Sequence, residues 1–426
     1  MSDAKELSDA AIEVLIDKLR QEERSRRKLF HQFQQLRGTI RVICRIRPPA
    51  KDEGDLLEYR TKKGEFHNHP ASLTILETKG GVHGPKKEWT DPYSYERVFL
   101  PNETNEDVFE EIGDFVQSFI DGQKACIFCY GQSGTGKTYT MSNLDDTEDR
   151  EEGKNYKNDG IVPRVKTKLF AEKRRLEQLG SEMEVRGCCY EIYDKNLWLL
   201  KAGRSEKKTI SKTGSGVSDP ELVTLNSPDD FDALVKMGMK TRHFGKTDLN
   251  ENSSRSHFII SLETSIVTDD GVAREGLLNL VDLAGSERKY DANTEGSATE
   301  EGININQSLS ALSRVFVDLA EGKRPACKDD LLTALLERSL QRDCMTLMFV
   351  MISLLEAQWT RSKDTLKRAL DAQKAKMTEE RVTEQRVTEQ KVTEQRDRSA
   401  KSSGNSTPRR GRSPRPASGR GRAKKP

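Results

Sequence analysis

Gly131-Gln-Ser-Gly-Thr-Gly-Lys-Thr138 satisfies the pattern G-x-x-x-x-G-K-[ST], a spacing whose backbone N–H groups can wrap a polyphosphate. Lys137 is placed to reach the β- and γ-phosphates, and the Thr138 hydroxyl to ligate Mg²⁺. Two later segments carry matching chemistry. Asn250-Glu-Asn-Ser-Ser-Arg-Ser-His257 is dense in hydroxyl, amide and cationic groups. Asp282-Leu-Ala-Gly-Ser-Glu-Arg288 follows the apolar run Leu277 to Val281, and an aspartate at the carboxyl end of such a strand, near a phosphate loop, holds Mg²⁺ directly or through water. Gly285, without a Cβ, can bring its N–H against a terminal phosphate. Taken singly, either segment is an ordinary polar loop. Taken together, in this order, they read as a nucleotide switch.

Positioning such loops takes strands that end where the loops begin. Ala125 to Tyr130 is apolar and reads as the buried strand feeding the glycine loop; Phe258 to Val267 and Leu277 to Val281 read likewise. Thr39 to Pro48 alternates apolar and basic residues and ends on a proline, as a strand does, and Pro92 to Phe99 is a second short strand. The spacing predicts helices over about Glu106 to Phe119 and Val165 to Leu179, a strand over Glu184 to Tyr193, and a surface loop over Asp145 to Asp159. That alternation argues an α/β fold, a mainly parallel sheet covered by helices on both faces.

The composition sets outer bounds. Of 426 residues, 34% are hydrophobic and 33% charged, so a sizeable core must be accompanied by long solvated segments. The net charge of +2 hides a strongly basic C-terminus. No apolar run is long enough to span a bilayer and the N-terminus lacks a signal-peptide core, so we expect a reducing setting and no membrane. Cys126 and Cys129 form a C-x-x-C, but within a strand residues three apart face opposite sides of the sheet. The seven cysteines are read as free thiols used as small apolar residues.

Residues 1–38 read as a helical neck. Ile12, Leu15, Leu19, Leu29, Phe33 and Leu36 follow the three/four spacing of a coiled-coil seam, interrupted at Glu22 and Arg26. A single amphipathic helix lying on the following domain fits the pattern equally well, and Gly38 would end it. At the other end, residues 371–397 repeat Arg-Val-Thr-Glu-Gln and read as a polar spacer, and residues 398–426 as a disordered basic tail.

The sequence resembles a kinesin motor domain over about 39–370. The residues that carry the resemblance are Arg45-Ile-Arg-Pro48, Gly131 to Met141, Gly160-Ile-Val-Pro-Arg164, Glu191-Ile-Tyr193, Asn250 to His257, Asp282 to Arg288, Ile305 to Leu312 and Thr346 to Val350, in family order. The resemblance implies a P-loop NTPase fold with a central, mainly parallel eight-stranded sheet. It implies ATP and Mg²⁺ as cofactors. Arg45 and Pro48 would flank the adenine, with Tyr139 stacking on it, and Gln132, Ser133, Gly134, Thr135, Gly136, Lys137 and Thr138 would hold the phosphates. Asn250, Ser253, Ser254 and Arg255 would form the first switch, Asp282, Gly285 and Glu287 the second, with Thr138, Ser254 and (through water) Asp282 at the metal. Arg255 would pair with Glu287 when the site closes, and Asn306 would begin the helix that relays the phosphate's presence to the filament face.

A neck that enters the first strand directly is similar to minus-end-directed, C-terminal-motor kinesins, although Gly38-Thr39 stands where that group has Gly-Asn. The implied function is an ATP-driven microtubule motor, with the N-terminal neck swinging to generate force. Its partners would be microtubules and, through the neck, a homodimer or heterodimer mate, with no nucleic acid; its place would be the cytoplasm and cytoskeleton, with nucleus or spindle as extensions. On the filament face, Lys323, Arg324 and Lys328 supply cations, but Asp330 and Leu331 stand where the family has serine and lysine, and each lost cation weakens attraction to acidic tubulin. The alternative is therefore a weakly motile or non-motile microtubule crosslinker with the same fold.

Overall fold

The computed structural model describes residues 2–37, 40–64, 68–79, 86–144, 151, 153–211, 216–218, 220–242, 255–287, 297–321, 323–341 and 344–369. Its first element is the long helix α1 (Ser2–Arg37), followed by strand β1 (Ile40–Ile46), buried along its whole length. A small antiparallel sheet comes next: β2 (Tyr59–Lys63), β3 (Pro70–Lys79), β4 (Lys86–Trp89) and β5 (Tyr93–Ser94). The chain then returns to the main sheet with β6 (Arg97–Phe99). The expected strand over Pro92 to Phe99 is thus two strands in two sheets.

Helix α2 (Asn105–Ile120) starts at Thr104, whose hydroxyl accepts from the Asp107 N–H while the Asp107 side chain accepts from the Thr104 N–H, a reciprocal cap. Its Val108, Ile112, Phe115 and Phe119 are fully buried, the three/four spacing that places them on one face. Strand β7 (Lys124–Gly131) leads through the glycine loop into the short α3 (Lys137–Ser142). Then follow α4 (Ile161–Gln178), β8 (Glu182–Tyr193), β9 (Asn196–Lys201), β10 (Arg204–Lys208), β11 (Val223–Thr224) and α5 (Pro228–Thr241). The core closes with β12 (His257–Val267), β13 (Ala273–Asp282), α6 (Ser297–Ala320), α7 (Leu331–Leu335), β14 (Met345–Ile352) and α8 (356–369).

The main sheet runs β10-β9-β8-β12-β13-β7-β14-β1-β6, with β11 beside β8. It has ten strands, where eight mainly parallel ones are expected, and it is mixed. β13, β7, β14, β1 and β6 pair in parallel; β10, β9, β8, β12 and β13 pair antiparallel. Turn chemistry explains the difference. Asp194 and Lys195 both adopt positive φ between β8 and β9, and Gly203 does so between β9 and β10. These are tight turns that only antiparallel neighbours can use.

Both faces of the sheet are covered, as the alternation of elements leads one to expect. α2, α4 and α5 pack on one side, α6, α7 and α8 on the other. Cys126 belongs to one core and Cys129 to the other, so this C-x-x-C is no redox pair. All seven cysteines are free and buried, and burial pushes the Cys188 thiol up to about 12.

Helix α1 lies on the body, but through its charged side. Arg26 bonds both Asp121 carboxylate oxygens and Glu23; Arg24 reaches Asp269 and Asp270; Glu23 also pairs with Arg175 at 3.0 Å. The Arg20 guanidinium donates to the Leu179 carbonyl. Meanwhile Ile12, Leu15, Leu19, Leu29 and Phe33 are exposed, Leu29 to 66%. Arg26, which breaks the apolar seam in the sequence, is therefore a docking residue. The Leu36 side chain, Gly38 and residues 371–426 lie outside what is described.

Candidate functional site

The site begins where β7 runs out. Gly134 and Gly136 take positive φ of 78° and 87°, conformations glycine adopts without strain and that turn successive N–H groups toward one concavity. Gly131 has no room for a side chain, since a Cβ there would sit 2.2 Å from the Met351 carbonyl oxygen of β14. The loop is thus fixed by the neighbouring strand, and Gly136 opens α3 without a side-chain cap, which leaves its donors to a ligand.

Lys137 is buried and donates to the carbonyls of Gly131 at 3.0 Å and Gln132 at 2.9 Å. Burial lowers its pKa, against the opposing fields of Asp282 and Glu287. The Thr138 hydroxyl donates to Asp282 Oδ2 at 2.7 Å, and Asp282 Oδ1 is buried with no hydrogen-bond partner among the described residues. A buried carboxylate oxygen without a donor is costly. Paired with a threonine hydroxyl, it suits a hard cation that binds oxygen and keeps most of its shell as phosphate and water. No group of three or more metal-binding side chains occurs among the described residues. Thr138 and Asp282 thus fit Mg²⁺.

Arg45, Arg47, Pro48, Pro49 and the glycine loop line a cavity of about 730 Å³ that also takes in Tyr139. The Tyr139 ring is half exposed, with the Arg45 guanidinium 5.9 Å from its centroid. Arg45 itself is buried, and donates to Asn105 Oδ1 and, at 2.8 Å, to the Thr140 hydroxyl. It therefore ties β1 to α2 and α3 while flooring the cavity.

The second switch reaches the loop directly. The Glu287 carboxylate accepts from the Ser133 N–H at 2.9 Å and from the Ser133 hydroxyl. A Cβ on Gly285 would meet that carboxylate at 2.3 Å and the Ser133 hydroxyl at 2.5 Å. Gln132, next in the loop, donates to Gln358 of α8. Arg255 lines a separate cavity of about 280 Å³ together with His257, Gln307 and Asp330. In this conformation both Glu287 oxygens are engaged by Ser133. Asn250, Ser253 and Ser254 lie outside the described residues.

The contacts of three site residues escape the sequence reading. Arg242, at the end of α5, is buried, lies 3.5 Å from Asp282 Oδ2 and bonds Ser256 through its Nε and Nη2. It places a fixed positive charge beside the expected metal carboxylate, yet a lone arginine after a helix carries no motif. His257 accepts the Ala284 N–H at Nδ1 (3.1 Å), which joins the end of the first switch to the second. Burial, then Arg242 and Lys137, lower its pKa to about 3, so it is neutral. Arg368 of α8 donates to the Ser286 carbonyl and to Asn306. Asn306 is not the start of α6, which begins at Ser297; the first residues of the helix carry no apolar periodicity, so the sequence does not mark them.

Lys323, Arg324 and Lys328 are exposed on the segment after α6, and Lys323 pairs with Glu321. Asp330, in place of the family's serine, accepts from the Leu332 N–H and the Ser308 hydroxyl at 2.9 Å each, so it caps α7 and ties it to α6. Leu331 packs on the core.

The family model described as the kinesin motor domain matches residues 45–375. The kinesin-like protein klpA of Emericella nidulans is 37% identical over 385 residues, 87% of this chain and 47% of its own length. Kinesin-like protein 2 of Schizosaccharomyces pombe is 35% identical over 360 residues, 80% of this chain and 41% of its own. The chain therefore spans less than half the length of these curated relatives. Among solved structures, the C-terminal motor and motor homology domain of Kar3Vik1, fused to a synthetic heterodimeric coiled coil, superposes with a TM-score of 0.74 at 30% identity, covering 87% of this chain and 94% of that one. The motor domain of the kinesin-like protein Kar3 from Saccharomyces cerevisiae superposes at 0.65 and 31% identity, covering 79% of this chain and all (100%) of that one.

Proposed function

This chain belongs to the kinesin motor family, and on that footing we propose that it is a microtubule-stimulated ATPase whose N-terminal neck swings to move it toward the filament's minus end. The observation that carries the reading is the convergence on one loop of Lys137, the Thr138–Asp282 pair and the Glu287 carboxylate. Arg45, Pro48 and Tyr139 would hold the base, and residues 132–138 the phosphates. Mg²⁺, when bound, would neutralise charge on the β- and γ-phosphates.

The chain's own residues do the rest. Lys137 leaves the Gly131 and Gln132 carbonyls for phosphate oxygens, and Glu287 leaves Ser133 to pair with Arg255. That exchange would close the first switch, with Asn250, Ser253 and Ser254, on the nucleotide, bring the Gly285 N–H to the terminal phosphate, and exclude bulk water. Phosphoryl transfer to water needs chiefly such positioning and charge stabilisation. Lys323, Arg324 and Lys328 would face tubulin. The exposed seam of α1 would pair with a second neck, in a homodimer or heterodimer, and the site of action would be the cytoskeleton, spindle included.

Steady-state ATPase with and without microtubules tests the reading. Turnover is expected to rise on adding filaments, and Lys137→Ala is expected to lower stimulated turnover at least about a hundredfold, the scale of losing a main phosphate-charge stabiliser. Equal turnover with and without filaments would overturn it in favour of a crosslinker. Gliding of polarity-marked filaments reads direction.

A further inference from the structure

Arg24, Arg27, Lys28, His31 and Arg274 line a cavity of about 210 Å³ between α1 and the body, and the carboxylate at its wall is Asp121. That carboxylate is already taken, since Arg26 donates to both of its oxygens. Arg24 is turned to Asp269 and Asp270. Arg27 is the anomaly. It is only 8% exposed, and its Nε has no hydrogen-bond partner among the described residues. The Glu23 carboxylate lies 3.5 Å from that Nε, but it also serves Arg26 and Arg175. Among the described residues no carboxylate pairs with Lys28 or Arg274.

A buried guanidinium with an unmet donor, in a roomy cavity with an excess of cations, is unfavourable unless an anion joins it. A tetrahedral oxyanion suits the donor set, because guanidinium forks and an ammonium can each take a separate oxygen. The cavity is not part of the nucleotide site. It lies where β7 and β13 begin, and the glycine loop lies where β7 ends, roughly 25 Å away at the rise of an extended strand.

We propose that this cavity binds a free phosphate-class dianion that bridges α1 to the body through Arg27, Lys28 and Arg274. The anion supplies the acceptor that Arg27 lacks and ties the neck to the start of β13. Its effect on neck movement rests on the motor reading above; its binding does not.

The probe is inorganic phosphate, titrated calorimetrically into the full chain at fixed ionic strength, with the nucleotide pocket saturated by a non-hydrolysable ATP analogue and Mg²⁺. Saturable one-site binding is expected, together with slower amide exchange across α1. Arg27→Gln and Arg274→Gln are each expected to weaken binding about tenfold or more, the scale of losing one charge-assisted hydrogen bond. Lys28→Gln, an exposed position where docking of α1 is not at stake, is expected to weaken it about threefold, and Lys323→Gln to leave it unchanged. The proposal is overturned by the absence of saturable binding in the unaltered chain, or by binding that Lys28→Gln and Arg274→Gln leave intact.

Discussion

Two residues show how closely the switches are fitted to the glycine loop. An alanine at 285 would drive its Cβ into the Glu287 carboxylate and the Ser133 hydroxyl. Both are side-chain ends that can move, so Gly285→Ala is expected to cost about 1 kcal/mol or less in stability. It should nonetheless abolish most filament-stimulated turnover, which a comparison of urea midpoints with steady-state rates would show. His257 makes a prediction about pH. Its folded pKa of about 3 lies below its ordinary 6.5, so between those values the unfolded chain binds a proton that the folded chain does not. Its contribution is fully present above pH 6.5 and is lost as pH falls toward 3, at up to about 1.4 kcal/mol per pH unit. Urea unfolding at pH 7.5, 6.5 and 5.5 should show a steeper decline for the parent chain than for His257→Gln, which keeps an acceptor for the Ala284 N–H. The glycine loop and the second switch were legible because each is a contiguous pattern. Arg242, His257 Nδ1 and Arg368 were not, because their roles depend on which distant backbone they meet.

At the scale of elements, α1 is the instructive case. Its seam spacing is visible in the sequence, and the side facing the body is not. Periodicity locates apolar stripes, whereas this helix docks by ion pairs that have no period. Arg26→Ala should weaken docking by about 1 kcal/mol or less, since the Arg26 side chain is partly exposed to solvent; faster amide exchange in residues 20–34, with that of β7 unchanged, is the readout. The strand count was missed for a comparable reason. Asp194-Lys195 forms a two-residue turn with positive φ and no glycine, so the hairpin it closes carries no turn signature. Helix α2 was anticipated from its apolar spacing, whereas α5 was not; both caps, Thr104 with Asp107 and Ser227 with Asp230, are findings of the structure.

For the whole molecule, the parallel strands β7 and β13 run from the neck end to the nucleotide end, and their last residues are the glycine loop and Asp282. The proposed filament face is the segment after α6, where Lys323, Arg324 and Lys328 are exposed and Lys323 pairs with Glu321. Arg324→Ala combined with Lys328→Ala is expected to weaken microtubule binding several-fold and to flatten its salt dependence. Co-sedimentation at two or more ionic strengths measures both. The α/β class and the cover on both faces could be read from the alternation of elements. The mixed direction of the sheet could not, because it is decided by short turns rather than by the strands themselves.

The two sides of α1 respond differently to their medium. Charge holds the helix to its own body, while the greasy stripe left facing water is suited to a mate. Added electrolyte weakens the first kind of bond and spares or reinforces the second. Brine should loosen the helix from its own globule, whereas a second neck paired along the stripe, as proposed, would stay zipped, so the two fastenings could be opened one at a time.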